Sequence, residues 1–419
     1  MSRIYLKAYQ WLLRGVVELL DIFPPKRIDS REFSLRKGVL PDDFVASKEG
    51  CIWIHGASLG EVITLRPFLK LMADTYGRER IFCTSTTIDG LNQLKKDAIC
   101  GYATLMPVEL PAFTVPFIEK IKPKLMLISE TEIWPLLLTT LKRKKVPYAI
   151  INGRINEKTV RLMKIAWALF ENAVEGIKCV LVQEKQYLRR YKILGVASEK
   201  LRISGSFKYD FIDTTPDTAE LREKIGLSDN RKLICFGSTH PDEEEIILDA
   251  LEPLWKNMSA TVVIAPRHVK RVSQIESMLQ KRSIDYSKYS QVNGIARQVL
   301  LVDTMGELRN IYAASDLAYV GGSLVEHGGH NLMEPARYSV PIVSGPHTFN
   351  FRYEMMALKK ANAISVARNC KELNALLTDW ISNPEKYIKK GKRANHLLNE
   401  MAGASIKTLR ELQKIGLLE

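Results

Sequence analysis

Two successive arrays of short apolar runs, alternating with longer helical stretches, constrain this chain more than any other feature. The first array has runs at 51–54, 81–84, 103–106, 125–128, 148–151 and 179–182. Helix-like segments lie between them, such as 62–75, 111–121, 133–144 and 158–175. Four-residue apolar runs separated in this way read as buried parallel strands. After a polar stretch at 213–217 containing Thr214-Thr215-Pro216, the alternation restarts at 233–236, 261–265, 299–302, 317–320 and 341–344. The expected fold class is therefore α/β: two doubly wound, Rossmann-like domains facing one another across a cleft, with ligands outside the carboxyl ends of the strands. The expected division is 1–45, 46–212 and 213–419, the last ending in a basic helical segment near 384–418 with no further strand to feed. A chain of 419 residues can bury two such cores.

Composition narrows the partners. Sixty-one Lys and Arg against 47 Asp and Glu leave a net charge of +14, which suits an anionic partner: nucleic acid, acidic lipid or a phosphorylated substrate. No helix-turn-helix, ribonucleoprotein or zinc-finger signature is present, so nucleic acid is disfavoured. The six cysteines form no C-x-x-C, and four lie in the apolar runs, as reduced core thiols of a cytosolic protein do. The histidines at 240, 268, 327, 330 and 347 are spread over four loops and suit hydrogen bonding better than metal ligation.

Residues 4–23 form the one membrane-like stretch. Lys7, Gln10, Arg14, Glu18 and Asp21 recur every three or four residues and define one helical stripe, with apolar residues on the remaining faces. A comfortable span wants ~20 nearly uncharged residues, and no cleavage site follows before Pro24-Pro25. The segment reads as a helix lying in the membrane interface, with packing on its own domain as the alternative. The basic excess between Arg3 and Lys37 favours anionic lipid.

The chemistry-bearing motifs sit where strands end. His55-Gly56-Ala57-Ser58-Leu59-Gly60-Glu61 is a strand end, a small-residue turn and a helix start. Glu61 there is either a general base or a partner of the helix dipole. In Ser129-Glu130-Thr131-Glu132-Ile133-Trp134-Pro135 the carboxylates should point in different directions, Glu130 being the one to enter the cleft. Asn152-Gly153-Arg154 offers a guanidinium fork. Gly205-Ser206-Phe207-Lys208-Tyr209 places Lys208 near the hinge, where an ordinary surface lysine is the alternative.

In the second half, Gly237-Ser238-Thr239-His240 precedes an acidic run, Asp242 to Glu245, read as dipole partners of a helix start. Pro266-Arg267 and Met305-Gly306-Glu307 end the next strands. Gly321-Gly322-Ser323-Leu324 through Glu334-Pro335 combines two glycine pairs, two histidines and two glutamates. Asn331 suits a helix N-cap with Glu334 as capping-box partner. This loop reads as an anion or ribose site whose glycines let the backbone approach the ligand, or as a turn that binds nothing.

Together these motifs resemble the 3-deoxy-D-manno-octulosonic acid (Kdo) transferases of lipopolysaccharide synthesis, in order from about residue 45 to the end. The resemblance implies a GT-B glycosyltransferase with an acceptor-binding first domain and a CMP-Kdo-binding second domain. It implies Glu61 as catalytic base, and Glu130 and Lys208 as transition-state stabilisers. Pro266, Arg267, Met305, Gly306, Glu307, Asn331, Leu332, Met333 and Glu334 match the family's CMP-binding segments. The implied reaction transfers Kdo from CMP-Kdo to the 6-hydroxyl of a lipid A precursor (lipid IVA) with inversion, at the cytoplasmic side of the inner membrane. CMP-Kdo is a substrate; no metal or other cofactor is implied. Asn156 stands where a serine is common, and Leu332-Met333 where Pro-Leu is common. Another GT-B enzyme, such as a nucleotide-sugar 2-epimerase, and a non-enzymatic membrane-surface protein are the rival readings.

Overall fold

The computed structural model describes residues 2–22, 30–41, 44–210, 216–227, 231–256, 258–292 and 294–419. The expected helix stop at Pro24-Pro25 and most of the expected linker lie outside them. The chain forms two compact units, Met1–Ile212 with Met401–Glu419, and Asp213–Glu400.

Each unit is built on a seven-stranded sheet whose pairings are all parallel. The first has β1 (Cys51–His55), β2 (Ile81–Ser85), β3 (Tyr102–Leu105), β4 (Pro123–Ser129), β5 (Tyr148–Gly153), β6 (Val180–Val182) and β7 (Leu201–Ile203), in the order 3-2-1-4-5-6-7. The second has β8 (Lys232–Thr239), β9 (Ala260–Pro266), β10 (Tyr286–Lys288), β11 (Val299–Leu301), β12 (Leu317–Val320), β13 (Ile342–Ser344) and β14 (Ile364–Val366), in the order 10-11-9-8-12-13-14. The interior strands are apolar on both faces because helices cover both sides, and β1, β2, β5 and β9 are buried at every position. Three strands go beyond the apolar runs, namely β7, β10 and β14. All three are sheet edges, where a strand does without a continuous apolar run.

Strand order locates the ligand positions. In each sheet the chain starts centrally and winds outward in both directions, so the order reverses between β1 and β4, and between β8 and β12. At such a switch point the flanking loops diverge and leave a crevice at the strand C-termini.

One boundary differs from expectation. The last helix, Ala404–Lys414, belongs to the first unit, where Ala404, Leu409 and Leu412 join the core containing Phe68 and Phe207. Its N-cap is Gly403, which has no side chain to supply. The carboxylate of Asp210 takes that role, accepting from the N–H groups of Gly403 at 2.6 Å, Ala404 at 3.2 Å and Ser405 at 2.6 Å.

The N-terminal helix, Ser2–Ile22, is also part of the first unit. Leu6 and Val17 are buried, and the Tyr9 hydroxyl donates to Glu109 Oε1 at 2.8 Å. The opposite apolar side stays open, with Trp11 74% and Leu12 68% exposed. Among the described residues no helix is long and apolar enough to cross a membrane.

Candidate active site

The loop after β1 folds around Glu61. Ser58 caps the helix Leu59–Tyr76, its Oγ accepting from Glu61 N–H at 3.3 Å and donating to Glu61 Oε1 at 3.2 Å. The Ala57 N–H donates to Glu61 Oε2 at 3.1 Å. Those bonds hold the carboxylate back over its own helix start. They would lower its pKa, yet burial outweighs them, and the charges of Glu130 and Glu132 add to it, pushing Glu61 up from 4.5 to about 7. A carboxyl that is half-ionised near neutrality suits proton transfer. The helix dipole at this position favours the ionised form, in the opposite direction to burial.

The loop after β4 supplies both neighbouring carboxylates. Sequence reasoning brings only Glu130 to the site; the structure sets Glu132 close enough to act on Glu61 as well. Glu130 has a left-handed backbone (φ +58°), a strained conformation for a non-glycine residue, held by the Tyr191 hydroxyl donating to its carbonyl at 2.8 Å. Its carboxylate pairs with Arg154 at 3.2 Å, and burial still raises its pKa. The Trp134 indole N–H donates to Glu132 at 2.5 Å. Below lies His55, fully buried, its Nδ1 2.9 Å from Thr84 Oγ1 and its ring edge-on to Trp134. Burial drives His55 down to about 4, so the imidazole is neutral.

Lys208 sits in the turn Phe207–Tyr209. Asn152, buried at the end of β5, accepts the Phe207 N–H on its Oδ1 at 3.2 Å, and Phe207 stacks on Phe68 of the Glu61 helix at 5.1 Å. Asn156, the departure from the family pattern, caps the helix Glu157–Ile165 by accepting from Thr159 N–H at 2.8 Å, as a serine would.

The loop that carries Glu130 and Glu132 continues into Ile133, Trp134 and Pro135, which line a cavity of about 460 Å³. Tyr9 and Leu13 of the N-terminal helix line it together with Val108, Trp134, Leu169 and Phe170. Its lining is mostly apolar. Glu109 at its rim is satisfied by Tyr9 and by the N–H groups of Leu136 and Leu137 at 2.8 and 3.1 Å.

The second unit holds its own cluster at the β8–β12 switch point, and here expectation needs correcting. Glu243 is no simple dipole partner. It is fully buried and accepts hydrogen bonds from the N–H groups of His240, Gly322, Ser323 and Leu324 and from the Tyr319 hydroxyl, at 2.5–3.1 Å. Glu244, also buried, forms a two-pronged pair with Arg271 at 2.6 and 3.0 Å. The amides expected to cradle a ligand thus cradle the protein's own carboxylate. The glycines serve the same folding: a Cβ on Gly321 would lie 2.4 Å from the Ser238 carbonyl oxygen.

The remaining expected positions lie at the same sheet edge. Pro266 is buried at the end of β9, and Arg267 is exposed just beyond it. Met305 and Gly306 are exposed, while Glu307 accepts from the Tyr289 hydroxyl at 3.0 Å. Asn331 accepts from Met333 N–H at 3.1 Å, but the helix it starts, Met333–Ala336, is a single turn with Leu332 at the N-cap position. Leu332 and Met333 are fully buried and offer a ligand only their backbone, whereas Glu334 is exposed.

Comparison with known proteins decides the family. Residues 31–211 match the family model of 3-deoxy-D-manno-octulosonic-acid transferase (Kdo transferase). The 3-deoxy-D-manno-octulosonic acid transferase of Haemophilus influenzae is 32% identical over 365 residues, 84% of each chain. This chain belongs to the Kdo transferase family. The Chlamydophila psittaci member is 30% identical, over 82% of this chain and 81% of that one. Among solved structures, a UDP-GlcNAc 2-epimerase from Neisseria meningitidis aligns with a TM-score of 0.59 over 87% of this chain and 99% of that one. At 15% identity that likeness speaks for the fold alone, the GT-B class of two Rossmann-like units. The Kdo transferases are a glycosyltransferase family, and this member is an enzyme.

Proposed function

We propose that this Kdo transferase moves Kdo from CMP-Kdo to the 6-hydroxyl of a lipid A precursor, lipid IVA, with inversion, on the cytoplasmic side of the inner membrane. The observation that carries the proposal is Glu61, a carboxyl poised at about 7 under the charges of Glu130 and Glu132, whose loop continues into the wall of a mostly apolar cavity. A sugar hydroxyl is a weak nucleophile. Glu61 takes its proton as the oxygen attacks C2 of Kdo, in a single displacement that inverts that centre. Arg154 pairs with Glu130, Lys208 offsets negative charge in the cleft, and Glu130 and Lys208 act in stabilising the transition state. The mostly apolar cavity receives an acyl chain of the acceptor. In the second unit Arg267, Asn331 and the other matched positions hold the CMP part of the donor. The direct test is mass spectrometry and NMR of the product made from CMP-Kdo and lipid IVA. A mass increase of whole Kdo residues with inverted anomeric configuration supports the proposal; retention of configuration contradicts the single displacement.

Arg267→Ala and Asn331→Ala each weaken CMP binding in titration calorimetry. A charge-assisted hydrogen bond contributes about 1.5–3 kcal/mol, so Arg267→Ala loses roughly 10-fold or more. Unchanged affinity in both variants places the nucleotide elsewhere.

The open side of the N-terminal helix gives a further expectation. Replacing Trp11, Leu12 and Val16 by Ser releases the protein from vesicles containing anionic lipid and leaves CMP binding unchanged. Each apolar side chain removed from water contributes on the order of 1.5–3 kcal/mol, more in sum than nearby basic residues supply at about 1 kcal/mol each. High salt therefore strips the unmodified protein only partly. Complete release by salt alone contradicts insertion of this face.

A further inference from the structure

A glycine-rich loop after a strand ordinarily holds an anion through its N–H groups. After β12 those of Gly322, Ser323 and Leu324 already face the Glu243 carboxylate. A phosphate arriving at this sheet edge meets a different surface, a cluster of four imidazoles. His240, at the end of β8, and His330, in the loop after β12, are joined by an Nε2–Nε2 hydrogen bond of 2.8 Å. Both rings lie against Gly322, where a Cβ would come within 3.2 Å of His240 and 3.3 Å of His330. His327 stacks on His240 at 4.1 Å between centroids, and His268 stands edge-on at 6.2 Å. Among the described residues no group of three or more His, Cys, Asp or Glu is placed to hold a metal ion.

The His240–His330 bond needs one Nε2 to donate and the other to accept, so at least the accepting ring is neutral and the pair can carry one proton without losing the bond. Burial disfavours charge on both, and the neighbouring cations Arg267 and Arg271 and the other imidazoles act in the same direction, against Glu243 alone. His240 lies below its ordinary range and His330 at about 4. An added negative charge reverses that balance. We propose that His240 and His330 seat the phosphate of the nucleotide and take up a proton from water as its charge arrives, an inference that rests on reading the second unit as the donor-binding one. When the bond from C2 of Kdo to the phosphate oxygen breaks, its electron pair goes to the phosphate, which changes from a diester monoanion to a monoester dianion. The protonated pair meets that extra charge, so it favours the departing phosphate over the bound donor. The acceptor's proton goes separately to Glu61, and the pair returns its own proton to water when CMP leaves.

The test is titration calorimetry of the full chain with CMP, slightly above neutral pH, in two buffers of small and large ionisation enthalpy. The expected result is a buffer-dependent heat corresponding to an uptake approaching one proton per CMP. His330→Asn and His240→Asn keep a hydrogen-bonding side chain that does not titrate. They weaken binding by no more than about 10-fold, the equivalent of one hydrogen bond, and they lose the proton uptake. Binding with no buffer dependence, or uptake that survives in both variants, overturns the role of the pair. An absence of heat in every buffer, with no CMP bound, overturns the donor-site reading and this inference with it.

Discussion

Glu61→Gln loses on the order of 10²–10⁴-fold in kcat, the usual cost of removing a general base, while its affinity for CMP stays that of the unmodified enzyme. The amide keeps the size of the carboxylate and still accepts from Ala57 or Ser58, so the loop after β1 holds its shape. What disappears is the ability to take a proton. In the unmodified enzyme the same group sets the acid limb of the pH profile. Because the base works only when ionised, kcat/KM falls as pH drops through about 7. The variant's residual activity lacks that limb. Stability moves the other way. Glu61 is held above its ordinary 4.5, so the folded state binds its proton more tightly than the unfolded chain does. The stability tied to that proton is fully present below about 4.5 and is lost as pH rises through about 7. Thermal unfolding above pH 7 should therefore show the Gln variant more stable than the unmodified protein, with the difference fading toward low pH. A variant that keeps more than half its turnover leaves Glu61 with no role in proton transfer.

Glu243→Ala is expected to damage the second unit more than any other single change. It removes one carboxylate and leaves the N–H groups of His240, Gly322 and Ser323 without an acceptor in a buried place, whereas Leu324 N–H keeps the Tyr319 hydroxyl at 3.2 Å and that hydroxyl keeps Ser323 Oγ at 3.0 Å. A buried donor left unpaired costs about 1–3 kcal/mol. With partial relaxation and entry of water, the loss is on the order of 4 kcal/mol or more, in the range of exceptional single substitutions. Differential scanning calorimetry reads it as a lowered Tm. Where the Ala variant fails to fold, Glu243→Gln serves. Its oxygen still accepts, but its NH2 faces N–H groups, so a smaller loss of Tm comes with weakened CMP binding. An unchanged Tm and CMP affinity in the Gln variant contradict the role of Glu243 in shaping the loop.

Glu243 also shows where sequence reasoning stops. It stands second in a row of four acids at a helix start, and nothing local separates it from its neighbours. Its loop partners Gly322 to Leu324 lie 79 to 81 residues further on. Asp210 is the same kind of case, capping a helix 193 to 195 residues away. By contrast the interior strands of both sheets and the strand–turn–helix setting of Glu61 are legible locally, because burial on both faces and a capped turn each leave a mark within a few residues. That Glu132 as well as Glu130 acts on Glu61 is not legible, since it joins the loops after β1 and β4, far apart in the chain. The spread of the histidines over four loops hid the His240–His330 contact, which exists because β8 and β12 are neighbours in the sheet.

Whether this Kdo transferase uses Glu61 as its base on an amphiphilic acceptor is read from CMP release from CMP-Kdo, measured with the acceptor lipid IVA, with the same acceptor stripped of its acyl chains, and with none. Release that requires an acceptor, is efficient with the acylated one and is nearly absent in Glu61→Gln is the predicted result. Release at the same rate without acceptor, or undiminished in Glu61→Gln, contradicts it.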